Sequence, residues 1–163
     1  MTPTFPGSEA ASHLATDVLV IGGGPAGTWA AWQAAQAGAH VVLADKGYVG
    51  TSGATAPSGT GVWYVAPEPV ARENALAARE ALGGHLADRR WGRRVLDQTC
   101  TNLQRVADWS HPVPVDERGE QRRTSLQGPD HMKLMRQAVR RAGVQVLDHS
   151  PALPARLAPN SLA

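Results

Sequence analysis

Three glycines stand at a spacing that could hold a phosphate group. Gly22, Gly24 and Gly27 form G-x-G-x-x-G in "DVLVIGGGPAGTWAA", directly after the apolar run 17–21. Gly22 would permit a tight turn, Gly24 would let the backbone approach a diphosphate, and Gly27 would let a helix lie close to a strand. A helix N-terminus offers unpaired N–H groups and partial positive charge to such an anion. The expected chemistry is nucleotide binding through main-chain atoms.

A carboxylate follows at the distance that a dinucleotide site needs. Asp45 lies 23 positions after Gly22, where an acidic side chain can accept hydrogen bonds from ribose hydroxyls. The alternative is a glycine-rich turn in an ordinary α/β core. The context of the glycines favours nucleotide-cofactor binding.

The elements around the glycines form a β-α-β unit. Residues 17–21 form a short segment that is apolar and rich in β-branched side chains after Asp17, and this predicts a strand buried on both faces. Pro25 can open a helix, which continues over 28–37 and ends at Gly38. Residues 41–44 predict a second strand. The fold class predicted is α/β, a Rossmann-like FAD/NAD(P)-binding domain with a parallel central sheet.

The segment after Asp45 bears on which dinucleotide would bind. Residues 47–61 carry no charge and are mostly Gly, Ser, Thr and Ala. An NAD domain would usually continue promptly to another helix, whereas this segment is expected to run extended along a long flat ligand. A strand is predicted over 62–65. A flavin is favoured, and a pyridine-nucleotide dehydrogenase remains the alternative.

The remaining pattern predicts three helices and one more strand. A helix starts at 67–69 and runs to about Leu82, a second is capped by Asp88 and runs through 109, and a third opens at Pro129 and ends at Gly143. Residues 110–128 suggest a short hairpin, and 144–147 a third sheet strand. Cys100 is expected to be a buried, inert thiol, and Met132 and Met135 to fill the core. Three parallel strands would leave a sheet edge unpaired.

Composition excludes several classes of function. The chain has 163 residues, 42% hydrophobic and 18% charged, with a net charge of +2. This composition predicts a globular domain with neither a transmembrane segment nor a nucleic-acid surface. A single cysteine rules out an internal disulfide, the histidines lack metal-ligand spacing, and a cytoplasmic setting fits best. We divide the chain into a flexible leader (1–15), the FAD-binding domain (16–150) and an irregular tail (151–163).

Over roughly residues 16–150 the sequence resembles the flavoproteins of the fumarate reductase and succinate dehydrogenase group, which includes L-aspartate oxidase. The resemblance is carried by "DVLVIGGGPAG", "VVLADKG" and "GTSGATAPSGTG", with a weaker echo in "GPDHMKLMRQAVRRAGVQVLDHS". It implies an FAD-dependent oxidoreductase acting on a dicarboxylate or an amino acid. Members with covalent FAD use a histidine in the small-residue segment, and none lies between His40 and His85. We therefore expect FAD to be held non-covalently.

The resemblance also assigns parts of FAD to particular residues. The diphosphate would face the glycine turn, the adenosine half would lie near Asp45 and Lys46, and the strand over 144–147 would reach the adenine side. The small-residue segment would run toward the flavin and border its ring. The cofactor-binding residues implied are Gly22, Gly24, Pro25, Ala26, Gly27, Asp45, Lys46, Thr51, Ser52, Gly53, Ala54, Thr55, Ser58, Gly59, Thr60 and Gly61. No metal ligand and no catalytic residue is assigned.

The resembled flavoproteins run to several hundred residues. A domain that covers the flavin, and the groups that bind substrate and deliver a proton, would lie outside this chain. We therefore expect only the N-terminal part of such an enzyme, truncated or frameshifted, unless a partner chain supplies the rest. A non-catalytic nucleotide-binding remnant remains open beside the oxidoreductase.

Overall fold

The computed structural model describes residues 14–109, 115–119 and 123–153, and contains five strands and four helices in these ranges. In chain order they are β1 (Val18–Ile21), α1 (Pro25–Gln36), β2 (Val41–Ala44), β3 (Gly59–Gly61), α2 (Pro69–Leu82), α3 (Arg89–Asp108), β4 (Ser125–Gln127), α4 (Gly128–Arg141) and β5 (Gln145–Leu147).

The parallel sheet has the order β1-β2-β5. Val18 pairs with Val41 at the start of β1 and β2, and Val42 pairs with Gln145 at the start of β5. Parallel neighbours need a crossover, which α1 provides between β1 and β2. The predicted Rossmann-like fold with a short parallel sheet is confirmed.

The main core lies between this sheet and helices α1 and α4. It is formed by Ala31, Val41, Leu43, Val49, Val139 and Val144. Helix α1 approaches closely because its inward positions are mostly alanine, as in Ala31 and the half-buried Ala34 and Ala35. Met132 and Met135 are fully buried, which confirms them as core residues.

Strand β1 is buried on one face only, so the prediction of burial on both faces is wrong. Val18 and Val20 pack toward the core, whereas Leu19 and Ile21 are 58% and 64% exposed. β1 is an outer strand of the described sheet, and none of the described residues covers its second face. The central strand β2 differs, because Val41, Val42 and Leu43 are all buried.

Residues 46–58 form a succession of turns, so the expected extended path is also wrong. The N–H of Thr51 donates to the Tyr48 carbonyl at 3.0 Å, and the N–H of Ser58 to the Thr55 carbonyl at 3.1 Å. Gly50 and Gly53 have φ values of +106° and +85°, and this left-handed conformation reverses the chain. Small residues therefore allow compact turning here.

The strand predicted over 62–65 falls earlier in the chain. β3 (Gly59–Gly61) pairs antiparallel with β4. The Val62 N–H also donates to the Thr124 carbonyl, at 2.9 Å. The Tyr64 N–H donates instead to the Val62 carbonyl at 2.9 Å, so Tyr64 does not continue the strand. A hairpin was expected within 110–128, but residues 125–127 pair with β3 instead. Residues 110–114 and 120–122 lie outside the described ranges.

Helix α3 begins and ends as predicted. The Asp88 side chain accepts from the N–H of Arg90 at 2.8 Å, and Trp109 is the C-cap. Its apolar positions are not uniformly buried, since Leu96 and Val106 are covered while Trp91 and Val95 are exposed.

The cysteine and the chain ends complete the comparison with prediction. The Cys100 thiol is half-buried, 3.3 Å from the Arg72 guanidinium, so the expected full burial is wrong. Residues 1–13 of the predicted leader and 154–163 of the predicted tail lie outside the described ranges, and 151–153 have no regular structure.

Candidate cofactor site

The turn between β1 and α1 depends on its glycines. Gly22 has a φ of +100°, and its N–H donates to the Ala44 carbonyl at 2.8 Å, which joins the turn to the end of β2. A Cβ added to Gly27 would lie 1.8 Å from the Gly22 carbonyl oxygen. Gly22 is therefore required by conformation and Gly27 by the close approach of helix and turn.

Gly24 differs from these two because space lies in front of it. It is the N-cap of α1, with a φ of −73°, and a Cβ added there would meet nothing within 4 Å. Pro25 occupies the first helical turn, and α1 has neither a side-chain cap nor an acidic residue there. The N–H groups of Ala26 and Gly27 belong to the first turn, which has no intrahelical acceptor for them.

This open, uncapped helix end fits a diphosphate. An anion placed there would receive backbone N–H donors and the favourable end of the helix dipole. The anion could come within hydrogen-bonding distance of the backbone because Gly24 has no side chain. The residues present are therefore compatible with a dinucleotide cofactor.

Asp45 holds the glycine turn to the segment after β2. One carboxylate oxygen accepts from the Gly23 N–H at 2.7 Å; the other accepts from the Gly47 N–H at 2.8 Å and the Ser52 hydroxyl at 2.7 Å. The residue is buried. Burial alone would raise its pKa, but the bonds from Gly23, Ser52 and Gly47 together outweigh burial, so the pKa of Asp45 is lowered.

The end of β5 lies beside Asp45. The Asp45 N–H donates to the Leu147 carbonyl at 3.0 Å, and its carbonyl accepts from the Ser150 N–H at 2.8 Å. The His149 N–H reaches the Gly47 carbonyl at 2.7 Å. The residues after β2 and β5 therefore form one bonded edge at the carboxyl ends of the strands, where ligands bind in open α/β sheets.

The structure divides the predicted site residues into two groups. Asp45 is hydrogen-bonded to the glycine turn and to the Ser52 hydroxyl, and the exposed Lys46 lies between Asp45 and Ser52 in the chain. Residues 55–59 lie instead at the start of α4, where the Gly128 N–H donates to the Ser58 carbonyl at 2.9 Å. Thr51 borders a groove of about 590 Å³ between residues 48–57 and α4.

Sequence reasoning missed four residues of this region. Gly23 is one, because a Cβ there would lie 2.5 Å from a Val49 methyl carbon. Val49, Arg136 and Asp148 are the others, and they are linked by hydrogen bonds. The position of Asp148 directly after β5, like that of Asp45 directly after β2, was the available signal.

The described ranges contain neither a cluster of metal-binding side chains nor a membrane-spanning helix. No group of three or more His, Cys, Asp or Glu side chains there could hold a metal ion. None of the helices in those ranges is both long and apolar enough to cross a membrane.

Comparison with protein families identifies the domain. The model of the FAD binding domain family matches residues 17–157. The chain belongs to this family. The cofactor of this family is FAD. This confirms the prediction of a flavin cofactor and rejects the alternative of a nicotinamide cofactor.

Solved structures confirm the fold. The FrdA subunit of E. coli quinol fumarate reductase, in a variant with one substitution, is 22% identical with a TM-score of 0.66, over 82% of this chain and 26% of that one. The Mycobacterium smegmatis Sdh1 complex in the apo form is 15% identical with a TM-score of 0.65, over 82% and 27%. A 3-ketosteroid dehydrogenase from Rhodococcus jostii RHA1 is 18% identical with a TM-score of 0.60, over 82% and 38%.

A curated relative matches a shorter stretch. Thiamine thiazole synthase from Aeropyrum pernix is 49% identical over 39 residues, which are 24% of this chain and 14% of the relative. The chain thus spans about a quarter to two fifths of the structures it resembles, and the FAD-binding domain accounts for most of its length.

Proposed function

We propose that this chain binds FAD with the diphosphate against the N-terminus of α1, and that it is the cofactor-binding part of an oxidoreductase. The observation that carries the proposal is the uncapped helix end behind Gly24, where an added Cβ would meet nothing within 4 Å. Gly22, Gly24, Pro25, Ala26 and Gly27 form the diphosphate cradle. The main-chain donors there bind the anion with no reactive side chain.

Asp45 and Lys46 serve the adenosine half in this proposal. Each carboxylate oxygen can accept two hydrogen bonds, and the oxygen that accepts from the Gly23 N–H would take a ribose hydroxyl as its second donor. Its lowered pKa keeps the carboxylate ionised as an acceptor. The exposed Lys46 adds positive charge beside it.

The small-residue segment directs the rest of the cofactor. The Ser52 hydroxyl donates to Asp45, which fixes the small-residue segment beside the residues proposed to bind the adenosine half. Its other proposed members, Thr51, residues 53–55 and residues 58–61, carry no bulky side chain that would exclude a flat ring. FAD is held there non-covalently, since the segment has no histidine.

Bound FAD supplies a two-electron acceptor, and the chain's residues bind and orient it. A substrate must then be held against the flavin by groups outside this chain, because the similar structures are much longer than the part matched. By its resemblance to the fumarate reductase group, the substrate is a dicarboxylate or an amino acid. A partner chain or a longer polypeptide would complete that site, and the single cysteine favours a reducing, cytoplasmic setting.

A second candidate is an FAD-binding unit with no turnover of its own. It is favoured by the exposed face of β1, where Leu19 and Ile21 of this outer strand are uncovered. Both candidates require FAD binding and differ only in whether the bound flavin is reduced by substrate.

Titration of the purified full chain with FAD tests the proposal. We expect flavin fluorescence to be quenched and the change in visible absorbance to saturate as FAD is added. NADH is the control ligand and should not displace FAD. Dicarboxylates and amino acids are then added under anaerobic conditions. Bleaching supports the oxidoreductase, a stable yellow complex supports the unit without turnover, and a colourless protein that binds NADH would contradict both.

A further inference from the structure

Arg136 on α4 and Asp148 after β5 form a paired contact that the sequence did not predict. The two guanidinium nitrogens reach the two carboxylate oxygens at 2.9 and 2.8 Å. The side chains are only 14% and 20% exposed. The Arg136 guanidinium lowers the pKa of Asp148, so both partners are charged.

The same pair holds both polar backbone groups of Val49. Asp148 accepts from the Val49 N–H at 2.9 Å, and Arg136 donates to the Val49 carbonyl at 2.8 Å. The Val49 side chain is fully buried. Its backbone lies in a turn outside any strand ladder, so these side chains supply the partners that a sheet would otherwise provide.

Val49 in turn lies directly behind the glycine turn. Its Cγ2 occupies space 2.5 Å from where a Cβ of Gly23 would be. The Gly23 N–H donates to Asp45 at 2.7 Å. A chain of contacts therefore runs from Arg136 and Asp148 through Val49 to the proposed diphosphate site.

Two further contacts fix the residues beside Val49. The Arg136 guanidinium carbon lies 3.8 Å from the centre of the Tyr48 ring, within the range of a cation–π contact. A Cβ added to Gly50 would lie 3.3 Å from the Arg136 Cβ. Helix α4 thus holds three consecutive residues of the segment that follows Asp45.

We propose that the Arg136–Asp148 pair is a positioning device for FAD, fixing Val49 and through it the backbone that receives the cofactor. This inference rests on the proposed function. The pair joins two elements, α4 and the end of β5, to Val49, which lies 87 positions before Arg136 and 99 before Asp148. Removing one partner leaves the other charge and a backbone group of Val49 without their partners, and the turn loosens before the rest of the core.

The test compares variants of the full chain by FAD titration. Arg136→Gln and Asp148→Asn remove one partner each. Arg136→Lys keeps the charge but loses the planar fork that serves Asp148 and Val49 together. Arg93→Gln is the matched control, because Arg93 also pairs with a carboxylate, Glu73, but on the α2–α3 surface.

We expect the FAD dissociation constant to rise about tenfold or more in Arg136→Gln and Asp148→Asn, by a smaller factor in Arg136→Lys, and to stay unchanged in Arg93→Gln. Measurements are made at a temperature where circular dichroism shows each variant folded. Hydrogen exchange without FAD is the second readout: peptides covering 46–52 should exchange faster in the Arg136 and Asp148 variants, while those of α2 should not change.

Unaltered FAD affinity in a folded Arg136→Lys or Arg136→Gln chain would overturn the inference, as would unchanged exchange over 46–52. Loss of affinity that only tracks the unfolded fraction would also overturn it. Failure of the unaltered chain to bind FAD would overturn the proposed function and with it the positioning role, whereas tight binding by all variants would overturn this inference alone.

Discussion

Asp45, the residue directly after β2, accepts a hydrogen bond of 2.7 Å from the backbone N–H of Gly23, in the turn directly after β1. The two strands are parallel neighbours, so their carboxyl ends lie side by side. The contact makes the glycine turn and the segment after β2 a single structural unit. Substitutions in this unit can change FAD affinity, folding stability or both, and measuring the two quantities on the same variant separates them.

Gly24→Val should abolish FAD binding without unfolding the chain. Gly24 has an ordinary φ of −73° and free space at its Cβ position, so the unliganded fold can accept a side chain. The same side chain would occupy the space proposed for the diphosphate, and each charged hydrogen bond lost is worth about 1.5–3 kcal/mol. FAD titration and thermal unfolding of the same sample measure the two effects. A variant that binds FAD normally would place the diphosphate elsewhere.

Gly27→Ala should act mainly on the fold. Its Cβ would lie 1.8 Å from the Gly22 carbonyl oxygen, so helix α1 must move away from the turn. Overpacking of this kind costs about 1–3 kcal/mol of unfolding free energy. Urea unfolding followed by circular dichroism measures the loss, with Gly24→Ala as a control at a glycine whose φ is −73° and whose Cβ space is open. Stability equal to that of the unaltered chain would contradict the close packing described.

Asp45→Asn should destabilise the chain at neutral pH and much less in acid. Hydrogen bonds lower the pKa of Asp45 in the folded state below its ordinary value of 3.8. The ionised carboxylate therefore stabilises the fold above that value, and the contribution is lost as the pH falls through the folded-state pKa. We expect a loss of about 1–3 kcal/mol at pH 7. Urea unfolding from pH 7 to pH 3 measures it, and a difference that grows toward acid would have the wrong sign.

Thr substitutions on β1 should distinguish its two faces. Leu19→Thr and Ile21→Thr alter exposed side chains and should change the unfolding free energy by less than about 0.5 kcal/mol. Val20→Thr, which places a hydroxyl against the core, should cost about 1 kcal/mol or more. Urea unfolding measures all three. Equal losses for the three variants would indicate that the second face of β1 is covered.

The flavin should be released intact when the FAD-loaded chain is precipitated with acid. The segment proposed to border the flavin has no histidine for covalent attachment. Absorbance of the supernatant and of the washed pellet measures the partition. Yellow colour that remains in the pellet would contradict non-covalent binding.

Local pattern predicted the β-α-β unit well. The run of alanines in α1, Pro25 at its start and Gly38 after its end determine a helix almost independently of the rest of the chain. The glycine turn was predictable for the same reason, since the backbone angle of Gly22 and the packing of Gly27 depend on neighbours in the same unit.

Features that depend on distant contacts were not predictable. An apolar strand such as β1 has the same sequence whether one or both faces are covered, and only its place in the sheet decides. The small residues at 46–58 permit both an extended and a turning path, and contacts with α4 and β5 select the turns. The position of Asp148 directly after β5 was a local signal, but nothing in the sequence around Arg136 indicates that the two residues meet.

The bare face of β1 bears on how long a bound flavin nucleotide would stay. Ile21 stands exposed immediately before the Gly22 turn, so any protein surface that settles on this face also touches the entrance to the cradle. By linkage, such a neighbour and the nucleotide would each strengthen retention of the other. Residence time of the flavin, followed with increasing amounts of a covering polypeptide, would then report binding of that polypeptide to β1.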